Sequence, residues 1–479
     1  MLLRIFEITS SLDCTKLWDV IPKDYLSDSL MALFQRQLSD TIRSIVVEYP
    51  YIDKDYRSTY YGFYSKRHRS YDKFCFRLHF FEQPIASEDV LPEAVNSYLG
   101  SIVLRPTEVA PLGRTLLSPR AIKGFNGYLC ETEFINSLNG IELPVRTFPH
   151  TMQDTDVTVC AHAVCWMIAR YYSERYSVYP ERLTYDIASA IKDVSFGRTI
   201  PSRGITLGQV SEILDSIGFY PELFVHELYM EGDPDFFHDI LYCYVESGIP
   251  VVAAMHGKAH AVAVIGHGAL VSAVDTITAL NWSGQFLPAR RCCPSFVIND
   301  DNRLPFSFIG ANEVSGNPYR LSDVDGFAVP LSEKMYLSAD NILKIYPKWA
   351  SGGLVQLGAE ETYVARVFMT SSRSYKRSLT ASADMDPMLR KAQIELPMPK
   401  FIWVIELSAP TVYDRGQVNY RWVVDATANP YEEYPFLMIH DSEKMILYDR
   451  TYRGRMYEVE FEKPLTPFTI FKNNLMRYA

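Results

Sequence analysis

The chain has 479 residues, 48% hydrophobic and 22% charged. That composition excludes a mainly disordered or low-complexity protein and allows two to four domains at roughly 100–200 residues each. Its 47 basic and 57 acidic side chains sum to −10, which argues against a nucleic-acid partner, since such binding needs a basic stripe. Eight cysteines without a CxxC pair give no disulfide framework and point to a reducing compartment.

The opening residues MLLRIFEITSSLDC carry Arg4 and Glu7 within a short apolar run, so no secretory signal is expected. Residues 1–146 read as a mixed α/β region. Leu26, Leu30, Leu33, Phe34, Leu38, Ile42 and Ile45 fall on one face and predict a helix over 26–45. The aromatic runs 60–64 and 74–81 predict strands, as does 141–145.

From 147 to 308 the patterns sharpen. Ala161, Val164, Cys165, Ile168 and Tyr172 predict a helix over 160–172. Thr206 and Gln209 form a capping box for a second helix, which Gly218 ends. A strand is expected at 220–225, and Asp233-Pro234 opens a third helix ending at Gly248. Two apolar runs, 249–255 and 260–265, flank the turn His256-Gly-Lys258 and read as a hairpin. Charged and helix-breaking residues within 249–274 exclude a membrane span. A further strand, 295–298, ends at Asn299-Asp300. Beyond 309 the short runs 401–407, 420–424, 436–439, 445–448 and 456–461 predict an antiparallel sheet or barrel. The polar stretch 370–399 reads as a mobile loop.

One constellation carries chemistry. Cys160 follows the polar loop 153–158 and opens a strong helix, where unsatisfied N–H groups and the macrodipole favour an anion. Thiolate is the nucleophilic form of cysteine. Acyl transfer then needs an imidazole and a group to orient it. His162 lies two residues on, on nearly the opposite side of the helix. His260, at the mouth of a buried strand, is better placed, ahead of His256 and His267. Asp300, at the end of a neighbouring strand, fits the third position. The backbone N–H of Cys160 and the Gln153 side chain are candidate oxyanion donors. Cys160, His162 and Cys165 diverge around the helix, so neither a metal nor a cofactor is expected.

These residues resemble those of the papain-like cysteine peptidases, and most nearly the bacterial branch that includes the double-glycine leader peptidases. The resemblance lies in Gln153 followed by CAHAVCWMIARYY (160–172), the helix start GITL (204–207), SGIPVV (247–252), KAHAVAVIG (258–266) and VIND (297–300). It spans about 148–308. Gln153 stands seven residues before Cys160 where the family usually has six, and Ala161 and His162 stand where it has Gly and Pro. The distance from His260 to Asp300 requires an insertion over 269–294. That insertion contains Asn281-Trp-Ser283, which makes Asn281 a rival for the third position.

The expected fold is therefore α+β: a papain-like central domain (147–308), with a mixed N-terminal region (1–146) and a β-rich C-terminal domain (309–479). The acidic charge and the lack of an expected signal or membrane span point to a cytoplasmic protein, and the resemblance implies a bacterial thiol hydrolase with the triad Cys160, His260 and Asp300, assisted by Gln153, acting on a peptide or protein. Deamidation or transglutamination by the same triad, and a catalytically inactive binding module, stand as alternatives. Oligomeric state is left open.

Overall fold

The structure is a computed structural model and describes residues 2–8, 15–107, 110–191, 200, 204–312, 314, 316–358, 362–449 and 454–479. Cys14 lies outside the described residues. The chain is mixed α+β, built on three larger sheets that are almost wholly antiparallel.

The first sheet has the order Leu2–Glu7, Ser44–Tyr51, Cys75–Phe81, Tyr98–Leu104, Leu112–Leu117. Helix Asp28–Gln37 covers it through Leu30, Met31 and Phe34. This helix is shorter than the apolar period 26–45 predicts. Leu38 is extended and caps it, and the chain re-enters a strand at Ser44. The strand expected at 60–64 is instead the end of helix Lys54–Gly62 and a short 3-10 turn. Asp53 decides this, because its Oδ1 accepts the Tyr56 N–H at 2.9 Å and caps the helix.

The second sheet runs Ser307–Gly310, Ser295–Asn299, His260–Gly268, Val251–Met255, Gly326–Leu331, Tyr220–Val225. Three of its strands, Gly326–Leu331, Gly127–Leu129 and Met476–Tyr478, come from outside 147–308. Gly127–Leu129 pairs with the far end of the His260 strand, and Met476–Tyr478 pairs with Gly127–Leu129. The close fit needs Gly266, where a Cβ would lie 2.0 Å from the Tyr128 carbonyl oxygen.

Both faces of this sheet are covered, which is why its strands read as continuous apolar runs. Val252, Ala261, Ala263, Ile265 and Val297 face helices Cys160–Arg175 and Leu207–Ile217. Val251, Ala253, Val262, Val264 and Ile298 face the other way, into a core shared with helix Phe236–Glu246. That helix begins later than Asp233-Pro234 predicts, with Asp235 at its N-cap.

The third sheet runs Phe286–Pro288, Tyr363–Ser371, Phe401–Ser408, Tyr420–Asp425, Phe436–His440, Lys444–Asp449, Arg455–Glu460. The predicted C-terminal strands are present. The stretch 370–399 is not a loop: it holds helices Ser372–Ala381 and Pro387–Glu395. Ser371 and Asp386 cap them, and Tyr375, Leu379 and Leu389 bury against Phe368, Ile402 and Val404. Sparse apolar positions on a polar helix conceal this face from composition alone.

A buried ionic chain joins the second and third sheets. His267 Nε2 donates to Glu246 Oε2 (2.9 Å). Arg366 Nε donates to Glu246 Oε1 (2.7 Å), and its Nη1 to Glu406 Oε2 (2.6 Å). Arg421 Nε donates to Glu406 Oε1 (2.8 Å). No helix among the described residues is long and apolar enough to cross a membrane.

Candidate active site

The Cys160 helix starts without a side-chain hydroxyl or carboxylate cap. Val159 is its N-cap, and His162 Nδ1 accepts the Val159 N–H at 3.3 Å. His162 is thus a capping residue, buried against the helix start, and burial pushes its ring down to about 4. The preceding loop is tied by Asp154, whose Oδ1 accepts the N–H groups of Val157 and Thr158, both at 2.8 Å. The Cys160 thiol is half-buried at the first helical position, where the opening N–H groups of a helix lack intrahelical acceptors. Cys165 lies in the core on the same helix, and burial pushes its thiol up to about 12.

Across from the helix, His260 opens its strand directly after Ala259, which is left-handed (φ 49°). The strand Ser295–Asn299 lies beside it, so Asp300 emerges at the same end of the sheet. His260 Nε2 donates to Asp300 Oδ1 at 3.0 Å. The Cys160 thiol acts on the same ring. With Nε2 engaged by Asp300, Nδ1 is the nitrogen left for sulfur. Tyr319 stacks on the imidazole, with centroids 5.0 Å apart and planes 25° apart. Asp300 is itself held by the Asn302 N–H (3.0 Å) and by Arg303 Nε (3.2 Å, to Oδ2).

Burial opposes charge on His260, but Asp300 and Cys160 outweigh it and raise the ring to about 10. Burial likewise opposes the Asp300 anion, yet His260, the Asn302 N–H and Arg303 hold its carboxyl below the usual range. Next to it, burial and then repulsion from Asp300 lift Asp301 to about 7, although His260 pulls the other way. The Gln153 backbone N–H acts on the Asp301 carboxylate, and its side chain is half-buried.

Asn281 is not at this site. It is exposed and left-handed (φ 48°) at the C-cap of helix Ala273–Leu280, which occupies the predicted insertion. Two neighbours of His260 escaped the sequence reading. Asp301 lies 3.8 Å from Nε2, and the doubled carboxylate Asp300-Asp301 was its only signal. Tyr319 had none, because its approach depends on the fold of the segment after the sheet.

Because His260 is raised above its ordinary value, its imidazolium stabilises the fold fully below about pH 6.5, and that stability is lost as pH rises through about 10. Urea unfolding from pH 7 to 10 is expected to show declining stability, by up to about 1.4 kcal/mol per pH unit. His260→Ala should reduce that slope without removing it, because, although burial opposes it, Cys293 and Glu246 raise His267 in the same direction, and an unchanged slope would place the titrating group elsewhere.

Comparison with protein families, curated proteins and solved structures returns no match to this chain.

Proposed function

We propose that this chain is a papain-like cysteine hydrolase that cleaves peptide or isopeptide bonds through an acyl-enzyme. One observation carries the reading: a single imidazole, His260, is hydrogen-bonded to a buried carboxylate and comes under the influence of a thiol at a helix N-terminus. The order of Gln153, Cys160, His260 and Asp300 along the chain supports it further.

In this reading His260 takes the proton of Cys160. The sulfur attacks the substrate carbonyl carbon, and the electron pair moves to the carbonyl oxygen. The first-turn N–H groups and the Gln153 amide stabilise that oxyanion. The intermediate collapses, the carbon–nitrogen bond breaks, and His260 gives its proton to the departing amine. Water then attacks the thioester, His260 takes the water proton, and the acid is released as the thiolate re-forms. Asp300 keeps Nε2 protonated and the ring aligned, and Tyr319 limits its tilt.

The test is the rate at which each cysteine of the native protein reacts with iodoacetamide at neutral pH, read by mass spectrometry. Burial raises Cys75, Cys130, Cys165, Cys243 and Cys292 above the ordinary thiol range, so these should react slowly. Cys160 is expected to react ahead of every other thiol and to lose that lead in His260→Ala. If Cys160 reacts no faster than the buried thiols, the catalytic reading falls and an inactive binding module takes its place.

A further inference from the structure

The catalytic reading uses the Nδ1 side of His260. The Nε2 side has chemistry of its own. One ligand atom each from His260, Asp300 and Asp301 lies within 4.8 Å of the others. Nε2 is 3.0 Å from Asp300 Oδ1 and 3.8 Å from Asp301 Oδ1. Zinc bonds of about 2.0–2.2 Å set neighbouring ligand atoms roughly 3.3–3.5 Å apart, so small side-chain adjustments place all three around one ion.

A second observation is independent of that spacing. Asp301 is fully buried, and its Oδ2 has no hydrogen-bond partner. A buried carboxylate oxygen without a partner is costly. Asn302 Nδ2 donates to the other oxygen, Asp301 Oδ1 (3.3 Å), and Arg303 donates to Asp300 Oδ2, so neither satisfies Asp301 Oδ2. A dication against both carboxylates would balance their charge and satisfy the orphaned group.

We propose that the Nε2 side of His260, with Asp300 and Asp301, binds a divalent transition cation of the zinc type, and that this binding switches off the thiol. The second half rests on the hydrolase reading above; the first half does not. On binding, the Nε2 proton leaves to solvent and a metal–nitrogen bond forms. The neutral, metal-bound ring must then carry its remaining proton on Nδ1, the nitrogen left for Cys160. It can no longer accept the thiol proton. The cation therefore disables the base by fixing its tautomer, and the sulfur remains uncovered.

Zinc chloride titrated calorimetrically into the full-length Cys160→Ala protein tests the site with the competing thiol removed. One equivalent is expected to bind. Asp301→Asn in that background should weaken binding at least about 10-fold, and His260→Ala should weaken it as much. X-ray absorption on the zinc-loaded wild type gives a check that needs no variant to fold: nitrogen and oxygen ligands are expected, and a sulfur shell near 2.3 Å would overturn the site. Absent binding, or binding indifferent to Asp301→Asn and His260→Ala, would also overturn it. Zinc should further slow iodoacetamide labelling of Cys160. Zinc binding without a reactive Cys160 removes the hydrolase reading and the switch that rests on it, and leaves the cation site; a reactive Cys160 that zinc neither binds beside nor slows removes this inference alone.

Discussion

Cys160→Ala is expected to abolish bond cleavage, a loss of about 10⁶-fold or more, while leaving the urea midpoint nearly unchanged. The side chain is half-buried at the first residue of its helix and contributes little to the core. The assay is the release of new amino termini from a mixed peptide pool, read by mass spectrometry. Asp300→Asn should cost less, about 10²–10⁴-fold. Asp300 accepts from His260 on Oδ1 and from Arg303 on Oδ2. An asparagine has one oxygen, so its amide nitrogen must meet a donor on one side or the other. Either the ring loses its anchor or the anchor loses its own. Equal losses from both substitutions would mean that Asp300 shapes the fold rather than orienting the base.

Arg366→Met is expected to destabilise the fold by about 3–5 kcal/mol. The guanidinium is buried between two carboxylates, contacting Glu246 through Nε and Nη2 (2.7 and 2.5 Å) and Glu406 through Nη1 (2.6 Å). Burial raises the cost of ionising Glu246, but Arg366, with His267, holds it down to about 2. Methionine fills much of the volume but strands both anions, and only His267 and Arg421 remain to compensate. Arg366→Lys should fall between the two, because a single ammonium cannot reproduce the planar fork. The urea midpoint distinguishes the three. A methionine variant as stable as wild type would mean that the ionic chain contributes specificity and no stability.

Much of the local architecture was readable from residue patterns. The Cys160 helix, the 249–265 hairpin, the strand before Asp300 and the Thr206–Gln209 cap are each written in a few neighbouring residues, where periodicity and capping chemistry act directly. What failed to show was of two kinds. Around 54–62 and 370–399 the apolar positions are sparse or aromatic, and a capping carboxylate or hydroxyl decides the helix. Elsewhere the pairing is remote. Nothing in GFAVPL (326–331) says that it lies between Val251–Met255 and Tyr220–Val225. For the candidate site, Cys160, His260 and Asp300 come from elements with strong local signals. Tyr319 comes from a segment whose course is set by contacts and not by period, so no pattern could mark it.

The edge strand Met476–Tyr478 has a consequence for the order of events during synthesis. The strand that opens with His260 is flanked at its far end by Gly127–Leu129, which in turn pairs with these late residues. Tyr478 Oη also reaches Glu131, just past that inner strand. A ribosome must therefore release residue 478 before this corner of the sheet can close. Growing chains would hold Cys160 and His260 long before the sheet that positions them is complete, and such distant pairing is slow to form. Cys160 and His260 would then reach their final places only after residue 478 has been added.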